Sequence, residues 1–397
     1  MKKGIKSLGA YLPYHYLTRA ALGAAWGGKG GKGEKSVADV DEDSVTMAVE
    51  AAMGCFRFAK REDVNALYFA STTGPYAEKC HAALIAVACD LKDENVFTSD
   101  IMTSTRAGTN ALKSALDSVV ANPGQSVLVT AADARNGYPK SAQETGFGDG
   151  AAAFIVGTGD DLIAEVDHFT SVSEEINDYW RNAGDKYTLH AEGRFCDEEG
   201  YLREMKIVLK KFESETGTKA ADYDKVVLVA QNAKLQTKIA TKFGIDPERL
   251  SDTLLLNVGD TGAAQGLLGL ANALENAKAG DRILVVDYGN GANAFSLTVT
   301  VRNSTEFFTL PSSIQPSATT TFSSCSRRAG LLPPSSFRVS QRASLAKCRL
   351  FMGKRSTHTM AIASKSSGGT IIQRCSAMER VSRVSVCGRK RGRHRNV

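Results

Sequence analysis

The 397-residue sequence contains no CxxC pair among its eight cysteines, and no apolar run approaches the roughly 20 residues that a membrane-spanning helix needs. These absences disfavour a zinc ribbon, a disulfide framework and a membrane anchor. The first residues, MKKGIKSLGAYLP, lack an apolar h-region, so we expect no signal peptide. Cysteines without a pairing pattern are typical of a reducing compartment, and we expect a cytoplasmic protein.

Asp, Tyr and Trp are missing after residue 304, where 17 Lys and Arg stand against two Glu. The whole chain has a formal net charge of +6, so the first 304 residues are net acidic. Three interpretations of residues 305–397 stay open: a disordered Ser/Arg-rich tail, a tail translated out of frame, and a basic arm that binds RNA or membrane phosphates. Because the basic charge is confined to this segment, we do not expect the body of the protein to bind nucleic acid or a membrane.

The body alternates strands and helices, and the order is written twice. Apolar runs that predict buried strands lie at 64–71, 126–131, 151–157, 225–230, 282–289 and 292–301. Helical spacing lies at 107–124 and 261–280. Sliding the chain by 156 residues places Ala107 on Ala263 and Gly124 on Gly280. The repeat predicts a duplicated α/β body whose two Ala/Gly-rich helices, apolar nearly all round, are buried at its centre.

Six motifs occur in the order found in one known family. They are DEDSVTMAVEAA (41–52), TSDIMTSTRAGTNAL (98–112), GDGAAAFIVG (148–157), DYWRNAGDKYTLHAEGRF (178–195), NVGDTGAAQGLLGLA (257–271) and AGDRILVVDYGNGANAF (279–295). Over about residues 3–301 the chain resembles the thiolase superfamily and, within it, archaeal-type 3-hydroxy-3-methylglutaryl-CoA synthases. The resemblance implies a thiolase-like duplicated five-layer αβαβα fold, with one half over 1–165, a second over 166–304, and the tail outside it.

The resemblance also implies chemistry on acyl-CoA thioesters, in which carbon–carbon bonds form or break. The family's acyl-accepting Cys lies in a segment like FACKAGT, and the matching position in TSTRAGT is Thr105. Its His corresponds to Val229 in LVAQNAK, its Asn to Asp260 in VGDTGAA, and its Glu to Thr72 in STTGPY. All four catalytic positions are therefore substituted, and we expect Thr105, Val229 and Asp260 to surround one pocket.

Other family positions match and imply a binding site for a coenzyme A thioester. These are Asn232 and Lys234, together with the turn that contains Gly289 and Gly291, where a backbone N–H would lie near the thioester oxygen. No covalently bound cofactor and no metal are expected. The glycine-rich segment GGKGGKG at 27–33 has neither the preceding strand nor the GK[ST] ending of a phosphate loop, and we interpret it as a surface loop.

Two alternatives concern the nucleophile. A one-residue shift of the alignment would make it Ser104, and Cys89 is a candidate for a displaced thiol, although its apolar surroundings suit a structural cysteine. The favoured hypothesis is an acyl-CoA-binding homologue without Cys-dependent acyl transfer that acts as a partner subunit of an active thiolase. The alternative is an active condensing or cleaving transferase that uses Asp260 as its base. The expected partners are a second copy, a thiolase-like subunit or a small acyl-CoA-binding zinc protein.

Overall fold

The structure is a computed structural model that describes residues 1–91 and 94–300; the hypotheses about residues 305–397 lie outside the described residues. The strands are β1 (Lys3–Tyr11), β2 (His15–Thr18), β3 (Glu34–Val37), β4 (Val64–Ser71), β5 (Phe97–Met102), β6 (Ser126–Asp133), β7 (Gly150–Thr158), β8 (Ala164–Ser173), β9 (Tyr179–Trp180), β10 (Leu189–His190), β11 (Lys225–Leu228), β12 (Arg282–Tyr288) and β13 (Gly291–Val299). The helices are α1 (Arg19–Ala25), α2 (Ser44–Cys55), α3 (His81–Ala88), α4 (Ala107–Ala121), α5 (Ala142–Gly146), α6 (Gly193–Phe195), α7 (Arg203–Thr216), α8 (Ala233–Lys242) and α9 (Gln265–Glu275). A π-helical turn covers Cys196–Leu202.

Nine strands form one sheet in the order β11-β12-β13-β8-β1-β7-β6-β4-β5. In the first half, β1 and β6 pair with β7 in antiparallel fashion, and β6, β4 and β5 are parallel neighbours. The second half repeats this scheme: β8 and β12 pair with β13 in antiparallel fashion, and β12 and β11 run parallel. This repetition confirms the predicted α/β duplication.

The repeat pattern did not predict how the two halves join. Strand β1 pairs with β8 through Gly4 and Ile5, which makes the sheet continuous across the halves. A side chain at Gly4 would collide with the carbonyl of Ala164, so the close approach of the two strands requires glycine. The second half has no strand paired outside β11 in the position that β5 occupies in the first; among the described residues, a single bridge between Val226 and Leu250 stands there.

The helices form three layers around the sheet halves. Helices α4 and α9 contact each other in the middle, with α4 on β4 and β6 and α9 on β11 and β12. Helices α2 and α3 cover the other face of the first half, and α7 and α8 cover that of the second. Gly108 of α4 permits the central contact because a Cβ there would meet the carbonyl of Ala263. The prediction that α4 is buried nearly all round is wrong on one face, where Lys113 and Asp117 form an exposed ion pair. No helix among the described residues has the length and apolarity needed to cross a membrane.

The predicted site positions follow the carboxyl ends of parallel strands. Thr72 follows β4, and Thr105 lies between β5 and α4. In the second half Val229 follows β11 and Gly289 follows β12. Because the carboxyl ends of parallel strands meet at one edge of a sheet, each half gathers its own positions there. Hydrogen bonds between the halves then bring the two groups together.

Candidate active site

Thr105, the predicted acyl-accepting position, lies two residues before the first residue of α4. Its hydroxyl donates to the carbonyl of Tyr288 at 3.0 Å, and the hydroxyl of Ser104 donates to the carbonyl of Gly289 at 3.0 Å. Residue 289 must be glycine because a Cβ there would collide with the Thr105 hydroxyl. No titratable side chain among the described residues hydrogen-bonds to Thr105. Among the described residues, both candidate hydroxyls therefore donate to backbone carbonyls and not to a base.

Arg106 fixes the turn that faces Thr105. Its guanidinium donates to the carbonyl of Gly289 at 2.8 Å and to the carbonyl of Asn290 at 2.9 Å. Further bonds reach the carbonyl of Val172 at 2.9 Å and the side chain of Asn293 at 3.1 Å. Burial lowers the pKa of Arg106, and the nearby carboxylate of Asp287 opposes that change. The position of the Gly289–Gly291 turn therefore depends on a buried cation.

A buried carboxylate, Asp133 at the end of β6, connects the two halves. One oxygen accepts from the backbone N–H of Thr72 at 2.7 Å and from the hydroxyls of Ser71 at 2.9 Å and Thr73 at 2.8 Å. The other accepts from the Thr72 hydroxyl at 2.9 Å and from the backbone N–H of Ala263 at 2.7 Å. Thr72, at the family's Glu position, is therefore occupied in holding Asp133, and through it the start of the second-half helix.

Asp260 is paired with a buried arginine. Its Oδ1 lies 2.5 Å from a terminal guanidinium nitrogen of Arg135 and accepts from the backbone N–H of Gly262 at 2.9 Å. The guanidinium stacks 4.0 Å from the ring centre of Phe147. Burial alone would lower the pKa of Arg135, but Asp260 and Asp133 outweigh it and the pKa is raised. The Asp260 carboxylate is thus bound in an ion pair instead of standing free as a base.

Val229 carries no group that can move a proton. Its backbone N–H donates to Val286, its carbonyl accepts from the hydroxyl of Tyr201 at 2.8 Å, and its side chain is buried. Asn232, predicted to bind ligand, caps α8 by accepting from the N–H of Leu235 at 3.0 Å. Lys234 is exposed in the first turn of the same helix. These two side chains stay predictions as ligand contacts.

An open cleft of about 580 Å³ runs beside these positions. It is lined by Thr103, Ser173, Glu174, Glu175, Ile176, Asn177, Tyr179, Trp180, Arg181 and Asn290. Thr105, Val229 and Asp260 do not line it themselves, but their neighbours do. Thr103 and Asn290 flank the Thr105 turn, Arg181 donates to the carbonyl of Thr72 at 2.8 Å, and the Tyr179 hydroxyl reaches the side chain of Gln231.

A second cavity, of about 330 Å³, is lined in part by the glycine-rich segment. It is lined by Arg19, Leu22, Gly23, Trp26, Gly28, Lys29, Gly30, Gly31, Lys140 and Thr145. The ammonium of Lys140 lies 5.1 Å from the ring centre of Trp26, whose indole N–H donates to Glu144 at 3.0 Å. The segment is a surface loop, as expected, but it also forms one wall of a cationic and aromatic pocket.

The described cysteines do not replace the missing thiol. Cys55, Cys89 and Cys196 are buried, and burial raises the pKa of Cys89 to about 12. Cys80 is exposed at the start of α3, beside Asp100 of the edge strand β5. Burial and a raised pKa both disfavour a nucleophilic thiolate at Cys89.

Sequence reasoning missed Arg106, Asp133, Arg135 and Tyr179. Asp133 and Arg135 stand at the carboxyl end of a predicted buried strand, which was the available signal for them. Arg106 adjoined the substituted Cys position inside a recognised motif. Tyr179 lay inside the motif at 178–195, but its two-residue strand has no periodic pattern that would have placed it at the site.

Comparisons with known proteins identify relatives of this chain. Residues 214–301 match the family model 3-oxoacyl-[acyl-carrier-protein] synthase III C terminal. Hydroxymethylglutaryl-CoA synthases are similar over most of their length: that of Methanocella arvoryzae is 33% identical, covering 76% of this chain and 88% of the relative, and that of Methanocaldococcus jannaschii is 34% identical, covering 75% and 89%.

Solved structures show the same fold. An HMG-CoA synthase complexed with CoA superposes with a TM-score of 0.68 at 21% identity, covering 76% of this chain and 83% of that one. The 3-oxoacyl-(acyl carrier protein) synthase III of Pseudomonas aeruginosa superposes with a TM-score of 0.67 at 20% identity, covering 76% and 99%. These matches confirm the predicted thiolase-like α/β fold. By its similarity to the curated synthases, the chain belongs to the hydroxymethylglutaryl-CoA synthase family.

Proposed function

We propose that this protein binds coenzyme A thioesters and does not form a covalent acyl-enzyme at residue 105. The observation that carries the proposal is the environment of Thr105. A threonine hydroxyl needs an adjacent base to become a nucleophile, and this one is donated to a backbone carbonyl. Val229 at the His position supplies no base either.

Coenzyme A binding is supported by the two cavities and by the helix between them. The pocket at Trp26 offers an aromatic ring and the cations of Arg19, Lys29 and Lys140, which suits a nucleotide with phosphates. Helix α5 touches both cavities: Glu144 accepts from Trp26, and the preceding Gln143 hydrogen-bonds to Tyr179 in the cleft. A ligand with its nucleotide at Trp26 and its thioester in the cleft therefore follows one short helix.

The alternative, a transferase that uses Asp260 as its base, is less consistent with the geometry. The guanidinium of Arg135 and the N–H of Gly262 both contact Oδ1 of Asp260 and hold the carboxylate in its place. Acyl-CoA turnover by the purified full chain would establish this alternative, and the proposal expects none.

A role as a partner subunit fits an incomplete catalytic site. Strand β5 is the edge of the nine-stranded sheet, and Phe97 on it and Val87 on α3 are 64% and 63% exposed. An open edge with exposed apolar side chains suits pairing with a second copy or with a thiolase-like subunit. A small acyl-CoA-binding zinc protein is a further proposed partner, and a cytoplasmic location is proposed for the whole assembly.

Intact-protein mass spectrometry after incubation with acetyl-CoA tests the proposal. We expect no acetyl adduct on the wild type. Thr105→Cys should label weakly, because the start of α4 lowers a thiol pKa. Condensation should stay absent, since general acid–base help worth about 10²–10⁴-fold is missing at Val229. Stoichiometric acetylation of the wild type at Thr105, Ser104 or Cys89 would overturn the proposal.

Ligand binding is tested separately by tryptophan fluorescence. The chain has two tryptophans, Trp26 in the cationic pocket and Trp180 in the cleft. Trp180→Phe leaves Trp26 as reporter of the pocket, and Trp26→Phe leaves Trp180 as reporter of the cleft. Acetyl-CoA should change the emission of the remaining tryptophan in each variant and reach saturation. A change at neither tryptophan would contradict coenzyme A binding.

A further inference from the structure

We infer that the hydroxyl of Tyr179 is a hydrogen-bond donor to the carbonyl oxygen of the bound thioester. The inference rests on the proposed coenzyme A binding. It adds a residue that should give ligands with that oxygen a higher affinity than ligands without it. Tyr179 borders the cleft and reaches, from its own short strand, toward the substituted positions Val229 and Asp260.

The backbone at Tyr179 is held rigidly. One oxygen of the buried Asp178 accepts from the N–H of Tyr179 at 2.6 Å, and the other accepts from the hydroxyl of Tyr288 at 2.6 Å. The ring of Tyr179 lies beside that of His190 on the paired strand β10, with centroids 6.1 Å apart. A hydroxyl on a fixed ring is pre-organised, so little ordering entropy is lost when it meets a ligand.

The proton of this hydroxyl is weakly engaged. Gln143 hydrogen-bonds to Tyr179, while the hydroxyl donates to Oε1 of Gln231 at 3.4 Å. Bonds between a hydroxyl and an oxygen are normally about 2.7–2.8 Å long, so this bond is stretched and exchanges readily for a better placed acceptor. Gln143 itself is 7% exposed, and its Oε1 has no partner among the described residues, so the hydroxyl belongs to an incompletely bonded polar cluster.

The hydroxyl also keeps its proton. Burial, followed by the negative charges of Cys196 when ionised, Asp260 and Asp178, raises the pKa of Tyr179 to about 12. A neutral phenol at pH 7 is a donor, whereas the Asp260 side chain is paired with Arg135 and Val229 has no polar side-chain atom. Toward a carbonyl oxygen in this part of the cleft, Tyr179 supplies what the two substituted positions lack.

Two ligands of matched size isolate the carbonyl oxygen. Acetyl-CoA carries it, and S-ethyl-CoA replaces the thioester C=O with a methylene group. Tyr179→Phe removes only the hydroxyl. Tyr138→Phe makes the same change on a ring that is 61% exposed and outside both cavities, and is the control.

Dissociation constants are measured by isothermal titration calorimetry on the full chain. Tyr179→Phe should weaken the binding of acetyl-CoA by about three- to tenfold, which is the effect of one hydrogen bond. The dissociation constant of S-ethyl-CoA should change by less than about twofold. Tyr138→Phe should change neither. In infrared difference spectra, the C=O stretch of [1-¹³C]acetyl-CoA should shift to lower frequency on the wild type and less on Tyr179→Phe.

Three results would overturn the inference. Equal losses for both ligands would assign Tyr179 a packing role, and unchanged affinity for both would show that the hydroxyl does not meet the carbonyl. An unshifted C=O stretch of acetyl-CoA bound to the wild type would also show that no hydrogen bond reaches the carbonyl. A wild type that binds neither ligand would instead remove the proposed function on which the inference rests.

Discussion

Replacing Asp133 by asparagine should weaken the hydrogen bonds that join the two halves and so lower the free energy of unfolding. The carboxylate accepts from the rigid backbone N–H groups of Thr72 on one oxygen and Ala263 on the other, both at 2.7 Å. An amide of the same shape has one acceptor and one donor end. Whichever way the new amide is oriented, its NH₂ group therefore faces a backbone N–H that cannot rotate away.

The size of the effect follows from these two groups. Losing one hydrogen bond to a charged acceptor costs about 1.5–3 kcal/mol, and leaving a buried N–H without a partner costs about 1–3 kcal/mol. Hydroxyls of Ser71, Thr72 and Thr73 can turn and accept from the amide, which recovers part of the loss. We expect Asp133→Asn to reduce the free energy of unfolding by about 3–5 kcal/mol.

The assay is equilibrium unfolding in urea at pH 7, followed by circular dichroism. Asp117→Asn is the matched control, because it makes the same chemical change in an exposed pair with Lys113 and should cost less than about 0.5 kcal/mol. A loss below about 1 kcal/mol for Asp133→Asn, indistinguishable from a surface change, would refute the idea that this carboxylate joins the halves.

Other perturbations have expected outcomes of their own. Burial, with the neighbouring carboxylates Glu174 and Asp178, raises the pKa of Glu204 to about 7, so the native state holds a proton between about pH 4.5 and 7 that the unfolded chain has released, and stability falls as pH rises through that window. In urea unfolding, Glu204→Gln should therefore be more stable than the wild type by about 2–3 kcal/mol at pH 8 and similar to it at pH 4.5. A Glu→Gln change at a surface position should show no such pH-dependent difference. Arg106→Met removes the guanidinium donor from the carbonyls of Val172, Gly289 and Asn290, of which Gly289 keeps the Ser104 hydroxyl, and should destabilise by about 3 kcal/mol in the same assay. An effect below about 1 kcal/mol would contradict the role of the guanidinium in fixing the turn. Under the proposed pairing of two copies through the edge strand, Phe97→Glu should shift sedimentation of the full chain from dimer to monomer, and a dimer that persists would exclude pairing through this edge.

The sequence by itself determined the elements and their order. Strand β4 has the predicted bounds, and the Ala/Gly-rich helices follow their strands in both halves, because hydrophobic period and Gly or Pro stops are local properties. The slide that placed Ala107 on Ala263 has a structural counterpart, since Ala107 is the first residue of α4 and Ala263 lies in the 3₁₀ turn, Gly262–Ala264, that leads into α9. Short motifs also indicated the family, which the comparisons confirm, and predicted four substituted catalytic positions.

Only the tertiary structure decided which groups meet at the site. The bonds of Asp133 to Ala263, of Arg135 to Asp260 and of Thr105 to Tyr288 each join residues more than 100 positions apart, and no local pattern specifies such a pair. The sequence presented Asp260 as a candidate base, but its arginine partner is supplied by the other half of the fold. The cleft likewise depends on how the segment around Tyr179 lies against the ends of β5 and β12, and that packing is a property of the assembled sheet rather than of any one strand.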